Sequence, residues 1–102
     1  MNGVFKALAD PTRRKVLELL RQGPMTAGEL SDRFPVSRPT MSAHFNVLRE
    51  AGLIAAHKDG KSIVYRLQLS VLEDALLSFG QLFGIGGASP DAPTAPQEGT
   101  RP

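Results

Sequence analysis

The chain has 102 residues, a net charge of +2 and no cysteine. This length is typical of one domain, and the lack of thiols excludes disulfide bonds, thiol redox sensing and thiolate metal sites. No apolar run approaches the ~18 residues of a membrane-spanning helix and the first residues lack a signal-peptide core, so we expect a cytoplasmic protein without a membrane segment.

Two short helices are predicted at the start of the chain. The first covers residues 2–9, and its apolar side is formed by Val4, Phe5 and Leu8. Asp10 followed by Pro11 is typical of a helix cap with proline in the first turn. The second helix is expected to continue to Gln22 and to end before the Gly-Pro pair at 23–24.

Residues 26–48 predict a helix-turn-helix. Thr26 and Glu29 have the spacing of a capping box, Pro35 ends that helix, and Ser37 caps the next. The second helix of the pair has an apolar stripe at i, i+4 and i+7, formed by Met41, Phe45 and Leu48. Its other side carries small and polar groups, as does a helix that reads the major groove of DNA. From these residues alone, an ordinary antiparallel helix pair is the alternative.

A β-hairpin is predicted next. Residues 53–58 form a short apolar strand, Asp-Gly at 59–60 is a common hairpin turn, and residues 61–67 return as a second strand. Lys58 and Lys61 flank the turn. A cationic hairpin beside a recognition helix is the wing of a winged helix-turn-helix, although lysines here also serve the solubility of an edge strand.

A final helix opens at Ser70, with one apolar side formed by Val71, Leu72, Ala75, Leu76, Phe79, Leu82 and Phe83. The predicted fold is therefore mainly α with a β-hairpin wing, in the order α-α-α-α-β-β-α, within a domain of residues 1–83. Residues 84–102 contain half of the eight prolines and little to bury, which predicts a disordered Gly/Pro-rich tail.

Several of these segments resemble the ArsR family of bacterial transcriptional repressors. The N-terminal signature, the recognition helix and the wing of that family correspond to Phe5–Leu20, Ser37–Phe45 with Leu48–Ile54, and Lys58–Tyr65. Residues 25–30 and the short start resemble the SdpR-type branch, whose members are autorepressors. The resemblance implies a homodimer that binds a palindromic operator and represses by occluding a promoter.

The predicted DNA contacts fall into two groups. The base-reading face of the recognition helix comprises Arg38, Pro39, Thr40, Ser42, Ala43, His44 and Asn46. The phosphate contacts comprise Arg13, Arg14, Ser37, Lys58 and Lys61. A domain this small with so much apolar surface on its terminal helices also predicts a dimer. Its contact residues are expected to be Val4, Phe5, Leu8, Leu72, Leu76, Phe79 and Phe83.

No metal or other cofactor is expected. ArsR-type sensors often carry a cysteine pair on the third helix or a His/Asp/Glu set on the last one. Here residues 29–34 lack cysteine, and the last helix has Glu73 and Asp74 but no histidine. Zinc needs three or four ligands at close spacing, and His44 and His57 lie on other elements.

Other functions remain to be weighed against DNA binding. Ser37, Ser42 and His44 are candidates for a catalytic nucleophile and base, but capping and DNA contact explain these residues better than an enzymatic role does. A winged-helix module that binds another protein is the more serious alternative. A regulator that responds to a small-molecule or protein inducer without a metal site is also open.

Overall fold

The computed structural model describes residues 2–84, and the tail predicted beyond them lies outside the described residues. The described part contains five helices and three strands. In chain order these are α1 (Asn2–Leu8), α2 (Pro11–Leu20), β1 (Met25–Thr26), α3 (Ala27–Ser31), α4 (Arg38–Glu50), β2 (Ile54–Asp59), β3 (Ser62–Leu67) and α5 (Leu69–Leu82). The predicted fold class is confirmed, with one strand more than expected.

Side-chain caps fix where α2, α3 and α4 begin. The Asp10 carboxylate accepts the Arg13 N–H at 3.0 Å at the start of α2. At α3 the capping box is complete: the Thr26 hydroxyl accepts the Glu29 N–H at 3.0 Å and the Glu29 carboxylate accepts the Thr26 N–H at 2.8 Å. These N–H donors lack partners inside the helix, and their bonds hold the pKa of each carboxyl below its ordinary value.

The three strands form one antiparallel sheet in the order β1-β3-β2. The hairpin turns at Gly60, whose φ of +66° favours glycine, and Asp59 pairs with Ser62. The sequence did not predict β1, which is only two residues long and pairs Met25 with Tyr65. The order is therefore α-α-β-α-α-β-β-α, because β3 has a second edge that β1 covers.

The core lies beneath α4. Its apolar stripe is buried as predicted, with Met41, Phe45 and Leu48 at 0%, 3% and 0% exposure. The Phe45 ring lies 4.7 Å from that of Tyr65 on β3, and burial raises the pKa of the Tyr65 hydroxyl. The same core holds Val16, Leu17, Leu20, Leu30, Leu53 and Ile54. The helix-turn-helix and the hairpin thus share one set of apolar contacts.

The helix α1 belongs to this core. Val4 and Ala7 are 6% and 0% exposed, which corrects the expectation that Val4 lies in a contact between two chains. Its side chain is already covered within its own chain, whereas Phe5 and Leu8 are half-buried.

The last helix begins one residue before the predicted Ser70. The chain divides into two units, one up to Leu72 and one from Glu73, so α5 contributes to both. The apolar side predicted for α5 is largely exposed: Leu76, Leu82 and Phe83 are 55%, 75% and 63% accessible, and only Ala75 of the predicted set is buried. No helix in residues 2–84 has the length and apolar character to cross a membrane.

Candidate nucleic-acid interface

The outward side of α4 is a continuous surface of small and polar groups. Residues at 38–40, 42–43 and 46 are exposed, opposite the buried stripe. They are Arg38, Pro39, Thr40, Ser42, Ala43 and Asn46. An arginine can pair with guanine and an asparagine with adenine through two hydrogen bonds each, and a methyl group can contact thymine. Six of the seven residues predicted to read bases therefore share one exposed face.

The start of α4 is held by two hydroxyl groups. The Ser37 hydroxyl donates to the Thr40 hydroxyl oxygen at 2.9 Å and accepts the Thr40 N–H at 3.3 Å. Pro39 has no N–H and the Met41 N–H donates to the Ser37 carbonyl at 3.0 Å, so Arg38 supplies the remaining N–H of the first turn at the exposed end of the helix. Partial positive charge there favours a nearby phosphate, so the capping role of Ser37 is compatible with its predicted place near the DNA backbone.

The wing supplies two cations. Lys58 and Lys61 are exposed on either side of the turn at 59–60. Within residues 2–84 neither lysine has an ion-pair partner within 4.0 Å. Their charge is thus available to a phosphate. His57, on the same strand, is exposed and pairs across the hairpin with Val64.

An acidic residue that the sequence reasoning missed lies beside the reading face. The Arg38 guanidinium is 3.5 Å from the Asp32 carboxylate, just after α3, and both side chains are more than two-thirds exposed. An ion pair this exposed contributes little to stability. Asp32 therefore holds Arg38 weakly and can give it up to a stronger acceptor.

Arg13 and His44 are placed differently from their prediction. The Arg13 guanidinium donates to the carbonyl oxygens of Lys6 and Ala7 at 2.8 and 2.9 Å. It also lies 3.3 Å from Nδ1 of His44, whose side chain is only 15% exposed. This corrects two expectations: Arg13 is turned toward α1 rather than held ready for phosphate, and His44 lies on the inner flank of α4. Arg14 is exposed but donates to the Leu8 carbonyl at 2.8 Å.

An open groove of about 420 Å³ lies between α4 and β2 and is lined by Asn46, Arg49, Glu50, Ile54, Ala55 and Ala56. It continues the exposed surface of α4 toward the wing. No group of three or more potential His, Asp or Glu ligands for a metal ion occurs in the part of the chain that the structure describes. The arrangement suits contact with a polymer along a surface better than chemistry in an enclosed site.

Comparison with known proteins agrees with this geometry. A family model described as a helix-turn-helix domain matches residues 8–56. The transcriptional repressor SdpR of Bacillus subtilis is 49% identical over 76 residues, which cover 74% of this chain and 84% of SdpR. The chain belongs to the ArsR family of transcriptional regulators.

Solved structures of ArsR-family proteins have the same fold. One ArsR family transcriptional regulator is 36% identical, with a TM-score of 0.69 over 81% of this chain and 89% of the other. An ArsR-like regulator from Rhodococcus sp. RHA1 is 32% identical, with a TM-score of 0.75 over 81% and 76% of the two chains. This ArsR-family chain is a DNA-binding transcriptional regulator with a winged helix-turn-helix, and not an enzyme.

Proposed function

We propose that this ArsR-family chain is a homodimeric repressor that binds a palindromic operator. The observation that carries the proposal is the exposed face of α4, whose small and polar side chains adjoin a wing with two exposed lysines. A recognition helix needs side chains that reach base edges and close neighbours that place it against the backbone. The exposed side chains of α4 are candidates for the first role, and the exposed lysines of the wing are candidates for the second.

Sequence specificity in this proposal comes from the outward face of α4. Arg38 pairs with guanine once it leaves Asp32, and Asn46 pairs with adenine. Ala43 or the methyl group of Thr40 contacts a thymine methyl, while Ser42 and Pro39 complete the surface. His44 is left out of this set because it is turned away from solvent.

The DNA backbone is contacted by the wing and by the first turn of α4. Lys58 and Lys61 neutralise phosphates, and the Arg38 N–H at the exposed start of α4 donates to another. If the dimer neutralises about 6–10 phosphates, affinity falls by roughly 10³–10⁵ between 50 and 200 mM salt. Such a dependence is characteristic of binding to a polyanion.

The homodimer is supported by the apolar surface of α5. Leu76, Phe79 and Phe83 recur at helical spacing, with 55%, 39% and 63% of each exposed. The Phe79 and Phe83 rings lie 4.8 Å apart along that side. Large exposed apolar patches mark protein contacts. The sequence-based set adds Phe5 and Leu8 on α1 and Leu72 on α5.

A dimer with two-fold symmetry requires an operator with matching symmetry. The two α4 helices would enter successive major grooves about 34–36 Å apart. Repression would follow from covering a promoter, in keeping with the name of SdpR as a transcriptional repressor, and the chain's own promoter is the first candidate. Such a role places the protein in the cytoplasm with the chromosome.

Selection of bound DNA from a random pool tests this proposal, together with sedimentation of the free protein at micromolar concentration. We expect an inverted repeat with half-site centres one helical turn apart, and a dimer. A stable folded monomer would overturn the dimer. If no DNA sequence is enriched and the protein does not bind heparin, the alternative of a protein-binding winged helix replaces DNA recognition.

A further inference from the structure

One arginine side chain joins three elements next to the recognition helix. Arg13 lies in the first turn of α2, yet its guanidinium reaches back to the last turn of α1 and across to α4. Nε donates to the Ala7 carbonyl at 2.9 Å and Nη2 to the Lys6 carbonyl at 2.8 Å. Nη1 lies 3.3 Å from Nδ1 of His44. We call Arg13 and His44 the α1–α4 bracket.

The chemistry of the two side chains decides which of them donates and which accepts the hydrogen bond. A guanidinium has only donors in a fixed planar fork, so it can serve two carbonyls and one ring nitrogen together. The partner nitrogen of His44 must then be the acceptor, which puts the ring proton of a neutral imidazole on Nε2. The two carbonyls belong to the last turn of α1, where the regular helical partners four residues on are missing. The Lys6 carbonyl also accepts the Ala9 N–H at 3.2 Å. Arg13 therefore adds a second donor to a carbonyl in the last turn of α1.

The surroundings keep His44 in place. Its side chain is 15% exposed, and Asp10 Oδ2 lies 3.9 Å from Nδ1. The same carboxylate oxygen accepts the backbone N–H of Arg13. The cap of α2, the end of α1 and the inner flank of α4 thus meet at one polar cluster beside an otherwise apolar core.

We propose that Arg13 and His44 are positioning residues for DNA recognition, which set the orientation of α4 relative to α1 and contact neither bases nor phosphates. This inference rests on the proposed dimer and operator. A recognition helix held rigidly on a dimer tolerates only one separation of the two half-sites. Loosening the bracket should therefore relax the choice of half-site spacing while leaving the reading face of α4 intact.

Four variants separate this role from others. His44→Leu removes the acceptor and keeps an apolar side chain. His44→Asn keeps an acceptor, because its Oδ1 occupies the place of Nδ1. Arg13→Lys keeps the charge but loses the planar fork. Lys15→Arg is the matched control, because this exposed basic residue of α2 pairs with Glu18 and contacts neither α1 nor α4.

Affinity is measured for the selected operator, for the same operator with one base pair inserted between the half-sites, and for unrelated DNA. Wild type should discriminate strongly against the insertion. His44→Leu and Arg13→Lys should reduce that discrimination by about 2- to 30-fold, and His44→Asn and Lys15→Arg should retain it. A nitrogen NMR spectrum of wild type should show His44 Nδ1 as an unprotonated acceptor that changes in Arg13→Lys.

A uniform loss of affinity for all three DNAs in His44→Leu and Arg13→Lys would make both residues backbone contacts and overturn the inference. Unchanged discrimination in both variants would do the same. If wild type binds one half-site as a monomer, the palindromic operator fails instead. In that case, a half-site affinity that is unchanged in His44→Leu, together with a nitrogen spectrum that changes in Arg13→Lys, would still support the bracket.

Discussion

The helices α4 and α5 are both amphipathic, but their apolar sides differ in burial. On α4, Met41 and Leu48 are fully buried within the chain. On α5, Leu76 and Phe83 are more than half exposed at a similar spacing. An apolar stripe on a helix therefore predicts that the stripe is covered, but not whether its own chain or another chain covers it. The stripe of α4 holds the fold together, whereas that of α5 packs against a second copy only in the proposed dimer.

The largest effect on stability should follow from truncating a buried side chain of α4. Phe45→Ala removes a ring that is 3% exposed and packs at a tilt against Tyr65, so the free energy of unfolding should fall by about 3–5 kcal/mol. Denaturant titration measures it. Asn46→Ala, the exposed neighbour, should change stability by less than about 0.5 kcal/mol, and an equal loss in both variants would mean that this part of α4 is not core.

Placing a charge on the α5 stripe should separate the protomers. Leu76→Glu forfeits about 1.5–3 kcal/mol of apolar burial in each protomer, so the dimer dissociation constant should rise by at least about tenfold. Sedimentation over a dilution series measures this. Leu77→Glu is the control, because Leu77 is 50% exposed but lies off the stripe. Equal dissociation in both variants would show that the stripe does not define the contact.

The outer side of α4 should carry specificity rather than stability. Arg38→Ala should cost about 1–3 kcal/mol on the selected operator and relax preference at one position. Its side chain is 72% exposed, so unfolding should be unchanged. Binding to the operator and to unrelated DNA are compared, with Arg21→Ala as a basic control on the far end of α2. An equal loss on both DNAs would make Arg38 a phosphate contact.

The wing should contribute charge alone. Lys61→Ala should weaken binding to every sequence and reduce the slope of log affinity against log salt by about 0.9 for each phosphate that is no longer neutralised. Lys15→Ala is a suitable control, since that exposed lysine is engaged with Glu18. A slope that stays the same in Lys61→Ala would remove the wing tip from the interface.

The smallest effect concerns the start of the helix-turn-helix. Bonds from Thr26 hold the pKa of Glu29 below its ordinary value, so this carboxylate stabilises the fold above an unfolded pKa near 4.5. That contribution is lost as pH falls through the lower pKa of the folded state. Glu29→Gln keeps an acceptor but does not titrate, and its urea midpoint should fall less than that of wild type on acidification. If the cap does not form, Glu29→Gln should lose as much stability on acidification as wild type does.

Local patterns were enough to predict much of the fold. The Thr26 capping box, the turn at 59–60 and the stripe on α4 depend on neighbours a few residues away, and all three are confirmed. Contacts between distant segments were not readable in this way. The pairing of Met25 with Tyr65, the burial of Val4 and the bond from Arg13 to His44 join positions that no short spacing relates.

The exposed face of α4 was predicted because it follows from local helical spacing. The contacts on its flank were missed because they join segments that are distant in the sequence. Helical periodicity places Thr40, Ser42 and Asn46 outward, whereas it gives no sign that Arg13 reaches back to the carbonyls of α1. It also does not show that Asp32 lies beside Arg38. Charge type alone predicts a contact with phosphate, and only the folded chain shows which cations already have acceptors.

The pairing of β1 with β3 sets the minimal length of a fragment that contains the helix-turn-helix and the complete sheet. β3 lies in the middle of the sheet and joins residue 25 to residue 65, although the family model ends at residue 56, within β2. A fragment cut at Thr26 would keep the cap of α3 but leave one edge of β3 uncovered. A DNA-binding fragment that is moved to another protein therefore has to begin before Met25 and extend past Leu67, because its first strand, β1, pairs with its last strand, β3.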